Sequence, residues 1–275
     1  MIVGIVGLGL MGGSMGLTMK SLEFIDKVVG FDHNKLHCKD AILLNLVDEI
    51  VDWEGLKKSD VIFLAIPVEG IINALSNLID ISPDTTIIDL GSTKAKIIEN
   101  IPTKIRKNFV AAHPMTGTEK FGPTAALKNL YKDKIVVLCN LDDSGKHQRE
   151  TAWMIFEKMD MKIVIMDAKE HDRHAAYISH LPHAISYALA NAVMAQEDVK
   201  NILILAAGGF KDMSRLAKSS PVMWEEIFKQ NKKNLLKAMD RFEEELKRCK
   251  KFINDEEWKS LHDWMKDANK LHDIL

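Results

Sequence analysis

Cysteine is scarce in this chain of 275 residues, and its three copies, Cys38, Cys139 and Cys249, lie far apart. An odd, scattered set excludes a disulfide framework and a cysteine-bound metal, and it suits a reducing, cytoplasmic setting. No excess of either charge is present: 37 Lys and Arg face 39 Asp and Glu, a net of -2. That balance argues against a nucleic-acid or membrane-surface partner, which would call for a basic face. No apolar run reaches the length of about 20 residues that spans a bilayer. No basic stretch precedes the apolar start Met1–Gly7, so a cleaved signal peptide is not expected. Low-complexity linkers and internal repeats are missing too. Glycine almost vanishes from the second half, where only Gly208 and Gly209 follow Gly145.

What is present is ordinary for a globular protein, with 47% hydrophobic and 28% charged residues. Thirteen of the 15 glycines and five of the seven prolines fall before residue 146. The first part should therefore be built from short elements with many turns, and the second from long helices. Short, nearly uniformly apolar runs occur at Ile2–Val6, Lys27–Phe31, Val61–Ile66, Thr86–Leu90, Phe109–Ala112, Ile135–Leu138 and Lys162–Met166. Strands of that kind are buried on both faces of a parallel sheet. Helical patterns fill 11–22, 34–45, 70–79 and 94–101. The alternation predicts an α/β fold, a Rossmann-type doubly wound parallel sheet, over residues 1–167. An all-α domain is expected over 168–275, where the charge runs after Trp224 read as solvated helix faces.

Gly7-Leu8-Gly9-Leu10-Met11-Gly12 forms G-x-G-x-x-G directly after the first strand and before a helix, the context in which that motif binds dinucleotides. Gly7 permits the tight turn, Gly9 the approach of a pyrophosphate, and Gly12 close packing of helix on strand. Asp32 ends the second strand 20 residues after Gly12. A carboxylate there accepts bonds from an adenine ribose and repels a 2′-phosphate. With no Arg among His33, Asn34 and Lys35, the cofactor expected is NAD.

Three further clusters carry candidate chemistry. Asp89-Leu90-Gly91-Ser92-Thr93-Lys94 and Ala112-His113-Pro114-Met115-Thr116-Gly117-Thr118-Glu119 each follow a strand, the end at which α/β sheets hold ligands. Ser92 and His113 should point to the nicotinamide end, and an imidazole titrating near pH 6.5 suits proton transfer. His171, His174, His180 and His183 invite a metal reading. At about 100° per residue, however, the first pair and the second lie on different sides of a helix, so no metal is expected, while His180 and His183 share a face. Gly208-Gly209 implies a helix break or a close backbone approach. Arg215, one of six arginines, follows it with a fork suited to carboxylates.

Together, the glycine motif with Gly13-Ser14, the segments from Asp89 and His113, Ser179-His180-Leu181-Pro182-His183, Gly208-Gly209-Phe210-Lys211-Asp212 with Arg215, and Pro221-Val222-Met223-Trp224 resemble the prephenate dehydrogenase family, including its arogenate and cyclohexadienyl members. The resemblance runs from residue 4 to about 228. It implies oxidative decarboxylation of prephenate to 4-hydroxyphenylpyruvate with NAD+, on the route to tyrosine. It implies His113 as proton acceptor and Ser92 holding His113 and the nicotinamide in register. Arg215 would bind a substrate carboxylate, with His183, Thr118 and Glu119 lining the pocket. A homodimer is implied, with Trp224 a candidate cross-subunit residue. Thr93 stands where Val is frequent in relatives, and Phe121 is bulky, which leaves the substrate side chain open between prephenate and arogenate. Gly-Leu-Gly-x-Met-Gly also opens the β-hydroxyacid dehydrogenases, but these place an Asn four residues after their catalytic Lys, where Lys211 is followed by Arg215. A non-catalytic NAD-binding protein would not need His113, Ser92 and Arg215 together. Steady-state kinetics should give a higher kcat/KM with NAD+ than with NADP+, and Asp32→Asn should narrow that ratio.

Overall fold

The computed structural model describes residues 1–274. Eight strands form one sheet: β1 (Ile2–Val6), β2 (Lys27–Phe31), β3 (Glu49–Ile50), β4 (Val61–Leu64), β5 (Thr86–Asp89), β6 (Phe109–Pro114), β7 (Ile135–Cys139) and β8 (Lys162–Met166). Their order is β3-β2-β1-β4-β5-β6-β7-β8, with the reversal of direction beside β1 that marks a doubly wound sheet. Every pair is parallel except β6 and β7, which run antiparallel with His113 opposite Val137. The apolar runs alone suggested parallel strands throughout. A parallel crossover needs a helix of some length, and between β6 and β7 there is only a short turn at Pro123–Ala125.

Alternate side chains of the strands feed two cores. Val3 and Ile5 of β1 join Met15 and Met19 of α1 (Leu10–Met19) on one face. Ala152, Ile155 and Phe156 of α6 (Lys146–Lys158), a helix the sequence patterns did not single out, fill the same core. Val6 turns to the opposite face with Val29, Leu64 and Phe109. There it meets α3 (Trp53–Leu56), α4 (Val68–Ala74) and α5 (Ala95–Glu99) through Leu56, Ile71 and Ile97. The remaining helix of this half, α2 (Lys35–Leu43), starts at Asn34, whose side chain accepts from Leu36 N, an ordinary N-cap.

Beyond β8 the chain is helical: α7 (Ala168–Ala175), α8 (Leu181–Met194), α9 (Val199–Ile204), α10 (Gly208–Ser214), α11 (Pro221–Gln230), α12 (Lys232–Asn254) and α13 (Trp258–Asn269). A π-helical turn over Ala176–His180 joins α7 to α8. Pro182 has no N–H to give the Ile178 carbonyl, which accounts for a widened turn just before it. Gly208 and Gly209 open α10 after a break, and nothing lies within 4 Å of a Cβ built on either. They mark the break and not a close approach within this chain. Of the 23-residue α12, Leu235 and Ala238 are buried. Ile204, Leu205 and Val222 are about four-fifths exposed, an apolar surface on the helical half. Among the described residues no helix is long and apolar enough to cross a membrane.

A buried ion pair ties β5 to β6. The Lys94 ammonium contacts the Asp89 carboxylate and donates to Ala112 O at 2.7 Å, with neither side chain exposed. Asp89 also accepts from Gly91 N and Ala112 N. Burial pushes its carboxyl above the ordinary value, against the pull of Lys94 and those N–H groups. Lys94→Met would strand the carboxylate and should lower stability by about 3–5 kcal/mol, read as a fall in the urea midpoint at unchanged slope.

Candidate active site

The glycine loop is shaped by what surrounds it. Gly7 has φ +89°, and a Cβ there would stand 2.5 Å from Ala65 O; at Gly12 a Cβ would stand 1.7 Å from Gly7 O. No larger residue fits either position. Gly9 differs, for nothing lies within 4 Å of its Cβ direction. It is also the N-cap of α1, with no side chain to satisfy the N–H groups of the first turn. Those donors and the open approach at Gly9 fit a pyrophosphate. Leu8 and Leu10 bury their side chains in the core, and Met11 O accepts from Tyr131 at 2.7 Å. The three residues between the glycines thus anchor the loop, two through buried side chains and one through its carbonyl.

Asp32 closes the loop from below. Its Oδ2 accepts from Leu8 N and its Oδ1 from Asn34 N, both at 2.8 Å, and the side chain is 6% exposed. A carboxylate has about four acceptor sites, so two backbone donors leave capacity for ribose hydroxyls. His37 Nδ1 stands 3.3 Å from Oδ2. Asp32 therefore shapes the glycine loop, and its remaining acceptor capacity fits the ribose contact expected from the sequence. A cleft of about 240 Å³ opens beside it between Trp53, Ile66, Asn73 and Asn77, with Phe31 and Trp53 packed at 4.9 Å as one wall.

His113 sits inside the end of β6, which runs two residues further than its apolar run. The ring is only partly exposed, and burial, followed by the charges of His171, Lys94 and His180, holds it well below the ordinary histidine value. It is a neutral imidazole at neutral pH. Its Nδ1 meets His171 Nε2 at 2.8 Å, and His171 Nδ1 meets Asp172 Oδ1 at 2.9 Å. Asp172 further accepts from Lys94 N at 2.8 Å and Ala95 N at 3.0 Å. Burial alone would raise its carboxyl, but the His171 hydrogen bond and these two N–H groups leave it lowered. Asn231 donates to Asp172 O at 2.6 Å and lies 3.1 Å from His180 Nδ1. Burial pulls His180 down to about 4. Ser92 is half-buried in the turn after β5, next to Thr93, whose hydroxyl donates to Gln230 of α11 at 2.7 Å.

His171, Asp172, Asn231 and Gln230 escaped the sequence reading, which had weighed His171 only as a metal ligand. His171 and His180 in fact belong to one hydrogen-bonded network. The π turn between them invalidates a uniform 100° per residue. Among the described residues no group of three His, Cys, Asp or Glu is arranged to hold an ion.

The other candidates lie on the helical half and on the loop after β6, where Glu119 faces Arg215. His183 stacks on Trp224 with ring centroids 3.5 Å apart, and its Nδ1 lies 2.9 Å from Ser179 O. Burial, opposed by that carbonyl and aided by the Arg215 charge, lowers His183. Trp224 was a candidate for reaching a partner's site; its indole is buried against its own chain's His183, and its Nε1 is a buried donor without an acceptor among the described residues. Arg215 is 58% exposed and faces Glu119 at 3.9 Å. Thr118 Oγ1 accepts from Lys120 N at 3.2 Å, bracing the same loop.

A glycine-loop sheet domain followed by a helical domain that shares the cleft at its strand ends defines a two-part, dinucleotide-binding oxidoreductase. Comparison with known proteins narrows this. Residues 15–165 match the family model "Prephenate dehydrogenase, nucleotide-binding domain", and residues 167–267 match "Prephenate dehydrogenase, dimerization domain". A prephenate dehydrogenase of Bacillus subtilis is 30% identical over 278 residues, covering 98% of this chain and 75% of that one. The crystal structure of a prephenate dehydrogenase from A. aeolicus, in complex with hydroxyphenyl propionate and NAD+, superposes with a TM-score of 0.92 at 33% identity, covering 100% and 98% of the two chains. The Synechocystis arogenate dehydrogenase structure gives 0.83 at 29% identity, covering 100% and 99%. This chain belongs to the prephenate dehydrogenase family.

A guanidinium buried against a substrate carboxylate is worth about 2–5 kcal/mol. At its observed exposure Arg215 is screened by solvent. If Arg215 meets a substrate carboxylate, Arg215→Ala should therefore raise the KM of that substrate about tenfold, or ~1.4 kcal/mol, with NAD+ affinity unchanged. An unchanged KM would remove Arg215 from the pocket.

Proposed function

We propose that the protein is an NAD-dependent prephenate dehydrogenase that forms 4-hydroxyphenylpyruvate by oxidative decarboxylation, in the cytoplasm, on the route to tyrosine. It acts as a homodimer through the apolar surface of its helical half, with residues 1–167 holding the dinucleotide and 168–275 the dimer contacts. The observation that carries this reading is the place of His113 at the carboxyl end of β6, with Nδ1 bonded to His171, on the side of the sheet where ligands lie in such folds.

NAD+, when bound, supplies the acceptor for the two electrons and the hydrogen leaving the ring carbinol. The chain supplies the rest. Gly7 to Gly12 and Asp32 hold the dinucleotide. His113 Nε2 takes the hydroxyl proton as the carbonyl forms, which is general-base assistance. Arg215 holds a substrate carboxylate against the outward pull of solvent, and the unpartnered Trp224 Nε1 beside His183 is a donor for a substrate oxygen. Ser92, in the turn after β5, keeps ring and cofactor in register. Loss of carbon dioxide follows because the ring becomes aromatic.

Arogenate is the second reading, favoured by the Glu119 carboxylate beside Arg215, since an ammonium on the substrate side chain would pair with it. Initial rates of NAD+ reduction with each compound decide between them. Turnover of neither leaves a non-catalytic NAD-binding protein. His113→Asn should lower kcat by about 10²–10⁴ at unchanged NAD+ affinity. Because His113 is held below its ordinary value, the base stays unprotonated as the pH falls through 6.5. The acidic limb of kcat/KM should therefore fall well below pH 6.5 in the wild type and vanish in His113→Asn. A variant with near-normal kcat and an intact limb would shift the role to His183.

A further inference from the structure

Only one nitrogen of His113 faces the chemistry proposed above, and the other has a partner to which that chemistry gives no task. We propose that His171 and Asp172 are positioning residues that hold the hydrogen of His113 on Nδ1 and so keep its Nε2 lone pair free for the substrate hydroxyl. The proposal rests on the reading of His113 as the proton acceptor.

The argument runs inward from Asp172. Its carboxylate lies between the backbone N–H groups of Lys94 and Ala95, and an ionised carboxylate can only accept. His171 Nδ1, 2.9 Å from Oδ1, must therefore carry its ring hydrogen there. His171 Nε2 is then the lone-pair nitrogen, and it stands 2.8 Å from His113 Nδ1. That contact is a hydrogen bond only if His113 Nδ1 bears the hydrogen. A single ionised group thus sets the tautomer of two rings in series. In the opposite tautomer, His113 would present an N–H to the substrate hydroxyl and could take no proton from it.

The geometry also provides for the charged state. When His113 takes the proton at Nε2, the imidazolium keeps its Nδ1–H bond to His171, and the Asp172 charge lies one ring away. His171 and Asp172 are 2% and 5% exposed, so solvent does not compete for these bonds. The side-chain amide of Asn231 fixes Asp172 from its carbonyl, leaving the carboxylate to its three donors.

Protein labelled with ¹⁵N-histidine tests the proposal without turnover. Near pH 7.5, two-bond ¹⁵N–¹H correlations of the wild type should show His113 and His171 each protonated at Nδ1 and bare at Nε2. A hydrogen on His113 Nε2 would overturn the proposal. In Asp172→Asn, an amide that turns its N–H to His171 Nδ1 reverses the series, and the same correlations then show both ring hydrogens moved to Nε2. With the series so reversed, the variant should lose on the order of 10²–10⁴ in kcat, as when a triad carboxylate becomes an amide, while KM for the substrate and Kd for NAD+ stay at wild-type values. A purely structural role would instead raise KM and Kd, and kcat at the wild-type level with the series reversed would also overturn the proposal. His171→Gln, whose amide oxygen can accept from His113 Nδ1, should retain more kcat than His171→Leu, and equal losses would count against it. If Asp172→Asn fails to fold, the wild-type spectrum decides alone. If the wild type turns over neither prephenate nor arogenate, the functional reading fails, and the spectrum still decides the tautomer.

Discussion

The Asp172 carboxylate joins the two halves of the molecule at the point where both contribute to the site. It is carried by α7, and it accepts from Lys94 N and Ala95 N at the start of α5 and from His171 on its own helix. Hydrogen bonds to a charged group are worth about 1.5–3 kcal/mol each, and an unpaired buried charge costs more than any of them. The turn after β5, which carries Ser92, is therefore held to the helical half and not merely packed against it. Two weaker ties lie nearby. Thr93 donates to Gln230, and Glu226 accepts from Glu69 N at 2.7 Å. All three pull α7 and α11 onto the carboxyl ends of the strands, which fixes the width of the cleft.

Much of this was legible in the residues. Runs of apolar, β-branched residues separated by helical patterns define a layered sheet, and the glycine loop with Asp32 follows from steric needs local to a few residues. The direction of β7 was legible as well, had the missing helix between Ala112 and Ile135 been weighed. The His113–His171 and Asp172–Lys94 contacts were not. They link residues 58 and 78 apart in sequence, and no periodicity records which distant side chains will meet. The exposure of Arg215 was hidden for a related reason. A guanidinium suited to a carboxylate looks the same in sequence whether it is buried or, as here, facing solvent with Glu119 beside it.

The loop from Gly117 to Gly122 is built unlike the rest of the cleft. Phe121 is 80% exposed and Gly122 has φ +81°, while Thr118 and Glu119 hold it through one short turn and one long ion pair. The hydrogen-bonded network of His113, His171 and Asp172 is largely buried and over-determined, whereas this rim is held by a few exposed contacts.

The π-helical turn at Ala176–His180 sets a length that packing alone would not. Such a turn amounts to one residue more than an α-helix needs. Winding the same residues at regular α-helical pitch would rotate everything after the turn by about 100° relative to α7, carrying His183 away from the side that Asp172 and Asn231 define. The wide turn absorbs that extra residue locally, so the two helices on either side of it keep their faces toward one cleft. Sequence spacing between His171 and His183 is thus converted into a shared surface by the pitch of a single turn.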